Sequence, residues 1–387
     1  MTIRVLQAIT RMIVGGAQLH ALYLCQRLDK SRFDTQLLTG PELGPEGDLL
    51  SAARATVPTQ VIGALGREVH PLRDVEAYFA IERFLKKERF HIVHTNTSKA
   101  GILVRRAARA CGVPIVVHTV HGWQWTEART GTMNRFIIAS ERWAAGLSDR
   151  LIVVTEKDRE KGLKAGVGRP EQYVLIESSI ALDRFTPDPE KRKQFRRAFG
   201  IPEDAPVAGT VGRFAYQKAP EVMLAAAKRI LAENSAAHFL YVGDGPLRDD
   251  VLGRMGDFAR HPRLHLSGIL EDVVPSLAAM DVFLLSSRYE GLPRVVVEAM
   301  AMELPVVSTP ADGVLEIVIP EATGLLVPHE DEEALAKKAI MLLADPEQAR
   351  RLGTRGRALV IQRFDLDGMV RRTASLYEGL LQEKRLA

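Results

Sequence analysis

Residues 286–300 read Ser286-Ser287-Arg288-Tyr289-Glu290-Gly291-Leu292-Pro293-Arg294-Val295-Val296-Val297-Glu298-Ala299-Met300. The apolar run before them, Asp281 to Ser286, predicts a buried strand that empties into a short loop. Glu290 closes the loop, and a Gly-Leu-Pro turn then opens a helix carrying Glu298. Proline suits the first turn of a helix, where its missing N–H has no partner to lose. The amides of Gly291 and Leu292 would then point out of the strand's carboxyl end, which makes an anion site. Glu290 and Glu298 flank it, and carboxylates accept hydrogen bonds from hydroxyls. A phosphate cradle between two hydroxyl acceptors describes a nucleotide-sugar pocket. The plainer reading is a solvated helix glutamate and an unrelated loop glutamate.

Outward from this stretch, short apolar strands alternate with longer amphipathic segments, the pattern of parallel sheets covered by helices. In the first half, strands are predicted near Arg4–Ile9, Asp34–Leu38, His91–His94, Ile115–Thr119 and Arg150–Val154. Helices are predicted over Ala17–Leu28, Val75–Lys87, Lys99–Cys111, Arg135–Leu147 and Glu156–Ala165. The rhythm restarts with strands at Val207–Val211, His238–Val242, Arg263–Leu266, Val282–Leu285 and Pro305–Ser308. Between the halves, Pro187, Pro189, Pro202 and Pro206 interrupt a charged segment, which puts a linker near residues 175–190. The expected fold class is α/β. It comprises two Rossmann-like doubly wound domains, residues 1–180 and 181–365, and a last helix, 366–387. Ligands in open α/β sheets sit at the strands' carboxyl ends.

The chain has 387 residues, enough for two ordinary domains. Cys25 and Cys111 are its only cysteines and stand far apart, so no disulfide framework or cysteine-based zinc site is implied. The opening Ile3-Arg4-Val5-Leu6 reads as a first strand, not a signal peptide, and no apolar run is long enough to span a bilayer. A cytoplasmic location is expected. The net charge of +4 hides an asymmetry: residues 1–180 hold 25 Lys+Arg against 18 Asp+Glu. A basic first half suits peripheral contact with an anionic membrane face or a pyrophosphate-bearing acceptor, or is an ordinary basic surface. No nucleic-acid motif accompanies the charge, so nucleic acid is not expected.

Other segments place chemistry at predicted strand ends. In Gly209-Thr210-Val211-Gly212-Arg213-Phe214-Ala215-Tyr216-Gln217-Lys218, Gly212 lets the backbone turn and two cations follow. Arg213 and Lys218 suit a diphosphate through charge-assisted hydrogen bonds, or are surface cations. Gly243 and Gly245 in Val242-Gly243-Asp244-Gly245-Pro246 are turn formers or nucleotide neighbours. Arg248 stands where a dinucleotide fingerprint needs its third glycine, which weakens a dehydrogenase reading. Gly15-Gly16 follows the first strand and precedes a helix whose start favours negative charge. In Thr119-Val120-His121-Gly122-Trp123, His121 can donate to a sugar oxygen, while His94 and His118 read as packed or capping residues. Trp123 and Trp125 either stack on a sugar or lipid or cover a cleft rim. Asn96, Thr97 and Ser98 can cap the next helix, whose Arg105, Arg106 and Arg109 form a solvated or membrane-facing patch. Asp365-Leu366-Asp367 fits a metal-binding D-x-D pattern but reads better as a helix cap.

Taken in order, these motifs resemble the GT4 family of retaining glycosyltransferases with the GT-B fold, over nearly the whole chain. Glu290 to Glu298 matches its E-x7-E signature, and Gly212, Arg213 and Lys218 its G-R-x4-K element. Gly243-Asp244-Gly245-Pro246 matches its G-x-G-P turn, and His121-Gly122 the end of its T-x-H-G element. The resemblance implies two domains facing a central cleft, with the last helix crossing back to the first domain. It implies Arg213, Lys218, Gly291 and Leu292 on the donor diphosphate, Glu298 on the ribose, Glu290 and His121 on the donor sugar. Gly15 and Gly16 would lie near the phosphate, and the backbone at Ile269 beside the base. It further implies metal-independent transfer without a cofactor, from a nucleotide-sugar such as a UDP-sugar to a glycan or lipid-linked acceptor in cell-envelope polysaccharide synthesis. Two departures stand out: Glu303 where the family has glycine, and Glu177-Ser178-Ser179-Ile180-Ala181 in place of its usual hinge sequence. A nucleotide-sugar 2-epimerase on the same fold and a non-catalytic nucleotide-sugar binding module are the rival readings.

Overall fold

The structure is a computed structural model, and it describes residues 2–41, 47–125 and 130–386. The chain divides into two compact units, Met1–Ser179 with Leu366–Ala387, and Ile180–Asp365.

The first unit is built on a parallel sheet of seven strands: β1 (Ile3–Ala8), β2 (Phe33–Thr39), β3 (Thr59–Val61), β4 (Ile92–Asn96), β5 (Ile115–Val120), β6 (Arg150–Val153) and β7 (Tyr173–Leu175). Their order is β3-β2-β1-β4-β5-β6-β7. The second unit holds six parallel strands: β8 (Val207–Val211), β9 (His238–Val242), β10 (Leu264–Gly268), β11 (Val282–Leu285), β12 (Val306–Ser308) and β13 (Gly324–Leu326). Their order is β10-β9-β8-β11-β12-β13. Parallel strands need helical crossovers and lose both faces to burial, so their sequences run apolar without alternation. Val282-Phe283-Leu284-Leu285 is buried along its whole length. In each sheet the strand order reverses once, between β1 and β4 and between β8 and β11. At such a switch point the loops leaving the two central strands diverge and open a crevice.

The strands missed from sequence are β3, β7 and β13, each three residues long. Runs that short carry no period. The proline-rich charged stretch also holds a helix, Pro189–Ala198, capped by Asp188, whose carboxylate accepts from the Glu190 and Lys191 amides. Its Arg196 is buried and donates to the carbonyls of Ala279, Pro202, Glu203 and Ala205 and to the Asp281 carboxylate. A charge-rich segment is thus an anchor, because one guanidinium satisfies five acceptors.

Helix Leu366–Glu383 packs in the first unit, against helix Gly16–Arg27, with Tyr377 fully buried edge-on to Phe33. Glu303 ends helix Arg294–Ala301 with φ 61°, the left-handed conformation that glycine adopts without strain. The missing glycine therefore leaves the helix end intact at the expense of backbone strain.

Candidate active site

In the second unit, the loops after β8 and β11 are stitched together from both sides. Ser286 Oγ donates to the carbonyls of Lys218 and Ala219, and Arg288 N donates to Gln217 O. The Arg288 guanidinium lies 4.2 Å over the Tyr216 ring and pairs with Glu221 and Glu330. That framework sets Lys218 Nζ 2.5 Å from Glu290 Oε1. Ser287 Oγ donates to the same oxygen at 2.7 Å, and Gln217 Nε2 reaches the other at 3.2 Å. Glu290 is therefore held by a cation, a hydroxyl and an amide, while 8 % of its surface stays open. Gln217 and Ser287 were not singled out in the sequence. Their role follows only from the position of the Glu290 carboxylate.

Helix Arg294–Ala301 begins one residue later than the sequence suggested, with Pro293 as its cap and not its first residue. The amides of Val296 and Val297 bond to Pro293 O, so those of Gly291 and Leu292 lie upstream of the helix's own ladder. Glu298 sits one turn in, buried, with Arg294 Nη2 3.3 Å from its Oε1. Burial pushes its carboxyl above the ordinary carboxylate range, against the opposing pull of Arg294, Arg184 and Lys218. The predicted strand Asp281–Ser286 is trimmed to Val282–Leu285; Asp281 still donates its N–H to Val207 O, while its carboxylate receives Val207 N, Arg192 and Arg196.

The turns around β9 are set by close backbone approach. At Gly243, φ is 137° and an added Cβ would lie 2.1 Å from Gly212 O. At Gly245, φ is 157° and a Cβ would meet Phe214 O at 2.7 Å. Both glycines let this turn press on the Gly212–Phe214 backbone. Gly212, by contrast, has only the Lys218 side chain near its missing Cβ, at 3.7 Å. Ile269 follows the left-handed Gly268 and stays 44 % exposed.

In the first unit, the candidates follow β1, β4 and β5, three neighbouring strands. Gly15 is the extended cap of helix Gly16–Arg27, and an added Cβ there would lie 2.5 Å from Gln18 Oε1. His121 follows β5 directly, with Nε2 2.9 Å from Asn96 Oδ1 and its ring edge-on to His20 at 4.9 Å. Asn96 does not cap the following helix, since it bonds His121 and Gln7, and Thr97 turns instead to Thr10. His94 and His118 are buried and hydrogen-bonded to Thr119 and Thr95, and burial lowers both well below the usual imidazole range. Trp123 and Trp125 are core residues stacked on one another at 4.4 Å, with Trp123 Nε1 donating to Asp158 O. The arginine patch also dissolves: Arg105 is buried against Glu141 and Arg109 pairs with Asp149, leaving Arg106 on the surface. The Asp367 carboxylate lies 3.9 Å from Arg27.

Residues 15–177 match a glycosyl transferase 4-like domain, and residues 205–345 match the group 1 glycosyl transferases. The UDP-Gal:alpha-D-GlcNAc-diphosphoundecaprenol alpha-1,3-galactosyltransferase of Escherichia coli is 30 % identical over 377 residues, covering 96 % of each chain. The chain belongs to the GT4 family of glycosyltransferases. A capsular polysaccharide biosynthesis glycosyltransferase of Staphylococcus aureus is 24 % identical, over 82 % of this chain and 84 % of its own. Among solved structures, HepE of Anabaena in complex with UDP and glucose aligns with TM-score 0.83 and 19 % identity, over 97 % of this chain and 99 % of that one. That likeness establishes the GT-B fold. This GT4 member is a glycosyltransferase. Among the described residues, no helix is long and apolar enough to cross a membrane.

Proposed function

We propose that this GT4 chain transfers a sugar, with retention and without a metal or other cofactor, from a UDP-sugar to a lipid-linked or other glycan acceptor. The observation that carries the reading is the Lys218–Glu290 pair at the switch point of the second sheet, beside the Gly291 and Leu292 amides. Arg213, Lys218 and those amides are assigned to the diphosphate, where they stabilise charge as the bond to the sugar breaks. Gly15 and Gly16, at a helix start, are assigned to the phosphate from the first unit. The turn at Gly212 and Gly243 and the exposed Ile269 are assigned to the nucleotide, Glu298 to the ribose hydroxyls, and Glu290 and His121 to hydroxyls of the transferred sugar.

Both Glu290 oxygens are already engaged, one by a lysine and a serine, which suits a binding carboxylate better than an attacking one. A front-face reaction fits that arrangement. The acceptor oxygen bonds to the anomeric carbon from the side on which the diphosphate leaves, and its proton passes to the departing phosphate oxygen. UDP-galactose and a GlcNAc-diphospholipid are the first pair to test, because the Escherichia coli relative's name carries both. Peripheral contact with an anionic lipid surface is supported by the basic surplus of residues 1–180 and by exposed Leu72, Val75 and Phe79 along one helix.

The experiment is transfer from a panel of UDP-sugars to a GlcNAc-diphospholipid, with product anomers read by NMR and with EDTA present. Retained anomeric configuration and full activity in EDTA are expected. Inversion would remove the front-face reading, loss in EDTA would require a metal, and acceptor-free conversion of the donor would favour the epimerase. Nucleotide-sugar binding without turnover would favour a binding module. Sedimentation with anionic vesicles and not with neutral ones is expected of the lipid contact.

A further inference from the structure

His121 is the end of a buried hydrogen-bonded chain that reaches the C-terminal helix. His121 Nε2 meets Asn96 Oδ1 at 2.9 Å, and Asn96 Nδ2 donates to Gln7 Oε1 at 3.1 Å. Gln7 Nε2 donates to Tyr377 Oη at 2.9 Å, and Tyr377 Oη lies 2.5 Å from His94 Nδ1. His94 Nε2 closes the chain on Thr119 Oγ1 at 2.6 Å. Gln7, Asn96, His94, Thr119 and Tyr377 are all fully buried. The residues come from four neighbouring elements, β1, β4, β5 and helix Leu366–Glu383, and none is an ion pair partner of another.

Donor and acceptor roles in this chain are linked. An amide oxygen only accepts, so the hydrogen between His121 and Asn96 belongs to Nε2. Asn96 is oriented because its own NH2 group is engaged by Gln7 Oε1, and Gln7 because its NH2 is engaged by the Tyr377 oxygen. Gln7 Nε2 also lies 3.2 Å from His94 Nδ1, and an amide N–H only donates, so Nδ1 is the acceptor. Tyr377 donates to it as well, and the neutral ring carries its hydrogen on Nε2 toward Thr119. A neutral His94 is required, and burial, which lowers its pKa well below the usual range, provides it.

The geometry points to Asn96 as a positioning residue that holds His121 in the Nε2–H tautomer, with the polarity set through Gln7 by Tyr377 of the C-terminal helix. This rests on the assignment of His121 to a sugar hydroxyl. With the proton on Nε2, the Nδ1 lone pair of the neutral ring is an acceptor. The C-terminal helix thereby has a chemical task in the first unit besides packing. Among the described residues, other titratable or charged groups around the ring are His20 from helix Gly16–Arg27, His118 from β5 and Arg105 beside His118. All belong to wild type and to each variant below, so they cancel in the comparison.

The test is nitrogen NMR of the whole chain labelled with 15N-histidine, together with kcat against pH for the transfer reaction. His121 is expected as the Nε2–H tautomer in wild type. In Asn96→Leu the preference is lost and kcat falls on the order of 10-fold. Asn96→Asp, nearly isosteric, keeps the acceptor and adds an anion, so the acid limb of the kcat profile moves up by about one pH unit. A wild-type His121 protonated on Nδ1 would overturn the proposal. So would a tautomer population unchanged in Asn96→Leu, or a pH profile unchanged in Asn96→Asp. His121→Ala separates the two readings: wild-type turnover there removes the sugar assignment, while the tautomer measured in wild type still decides the positioning.

Discussion

The two units share a doubly wound plan and place their candidate residues beside the same kind of switch point, yet they solve the electrostatics differently. The second unit works with ions: Lys218 with Glu290, Arg294 with Glu298, and Arg288 with Glu221 and Glu330. The first works with neutral groups, an imidazole, two amides and a phenol in one buried chain. A diphosphate carries formal charge and is matched by fixed cations, which lose little by being partly buried when they are paired. A sugar carries only hydroxyls, and neutral donors and acceptors with fixed polarity discriminate among them without the desolvation cost of an ion. If the proposed assignments hold, the cations of the second unit serve the diphosphate and the neutral chain of the first serves a sugar hydroxyl, and substitutions in each unit are expected to fail in different ways.

Lys218→Ala carries the largest expected effect. It removes the cation but leaves Ser287 and Gln217 on Glu290, so the fold survives while kcat drops by ~100-fold or more. Steady-state kinetics beside circular dichroism check this, and near-normal turnover would break the ionic half of the comparison. Tyr377→Phe is the counterpart in the neutral half. It removes the hydroxyl that Gln7 and His94 share, leaving them their own 3.2 Å contact, and should destabilise by about 1–3 kcal/mol, read from denaturant unfolding. A change confined to activity, with stability intact, would contradict the buried network.

Glu298→Gln sharpens the contrast through pH. Because burial raises the folded carboxyl's pKa, folding favours its protonated form. The stability this contributes is present at acid pH and is lost as pH rises through the raised value. The glutamine variant, always neutral, should therefore melt higher than wild type at neutral pH and no higher in acid. Its nucleotide affinity should fall roughly 10-fold, the loss of one charged hydrogen-bond acceptor. Equal melting at both pH values counts against the buried, raised carboxyl, and unchanged UDP affinity by calorimetry counts against the ribose assignment. Glu303→Gly is the smallest effect expected. Replacing a left-handed glutamate by glycine relieves about 1 kcal/mol of backbone strain with no change in turnover, so a raised melting temperature at constant kcat is the outcome to look for.

The ionic unit was also the more legible one. Glu290, Gly291, Leu292 and Glu298 lie within nine consecutive residues, and Gly212, Arg213 and Lys218 within seven. Their spacing alone places them on one strand end, one turn and one helix start. The sequence did not distinguish the arginines of helix Ser98–Ala110, because Arg105 and Arg106 are neighbours in the chain, yet about 100° apart around the helix, one buried and one exposed. Nor did it separate the tryptophans that stack on each other from tryptophans that would stack on a ligand. Aromatic composition is the same in either case, and only the partner differs.

From the amino-acid order came the alternation of strand and helix, the break between two parallel sheets, and the glycines, cations and carboxylates clustered at strand ends. Those features are local, fixed by period, turn chemistry and side-chain type within a few residues. What the tertiary structure alone decided is the company each group keeps: Lys218 on Glu290 across 72 positions, and Tyr377 on Gln7 across 370. Hydrogen-bond partners so far apart in the chain leave no mark in local pattern, because they meet only after the sheets and the last helix have packed.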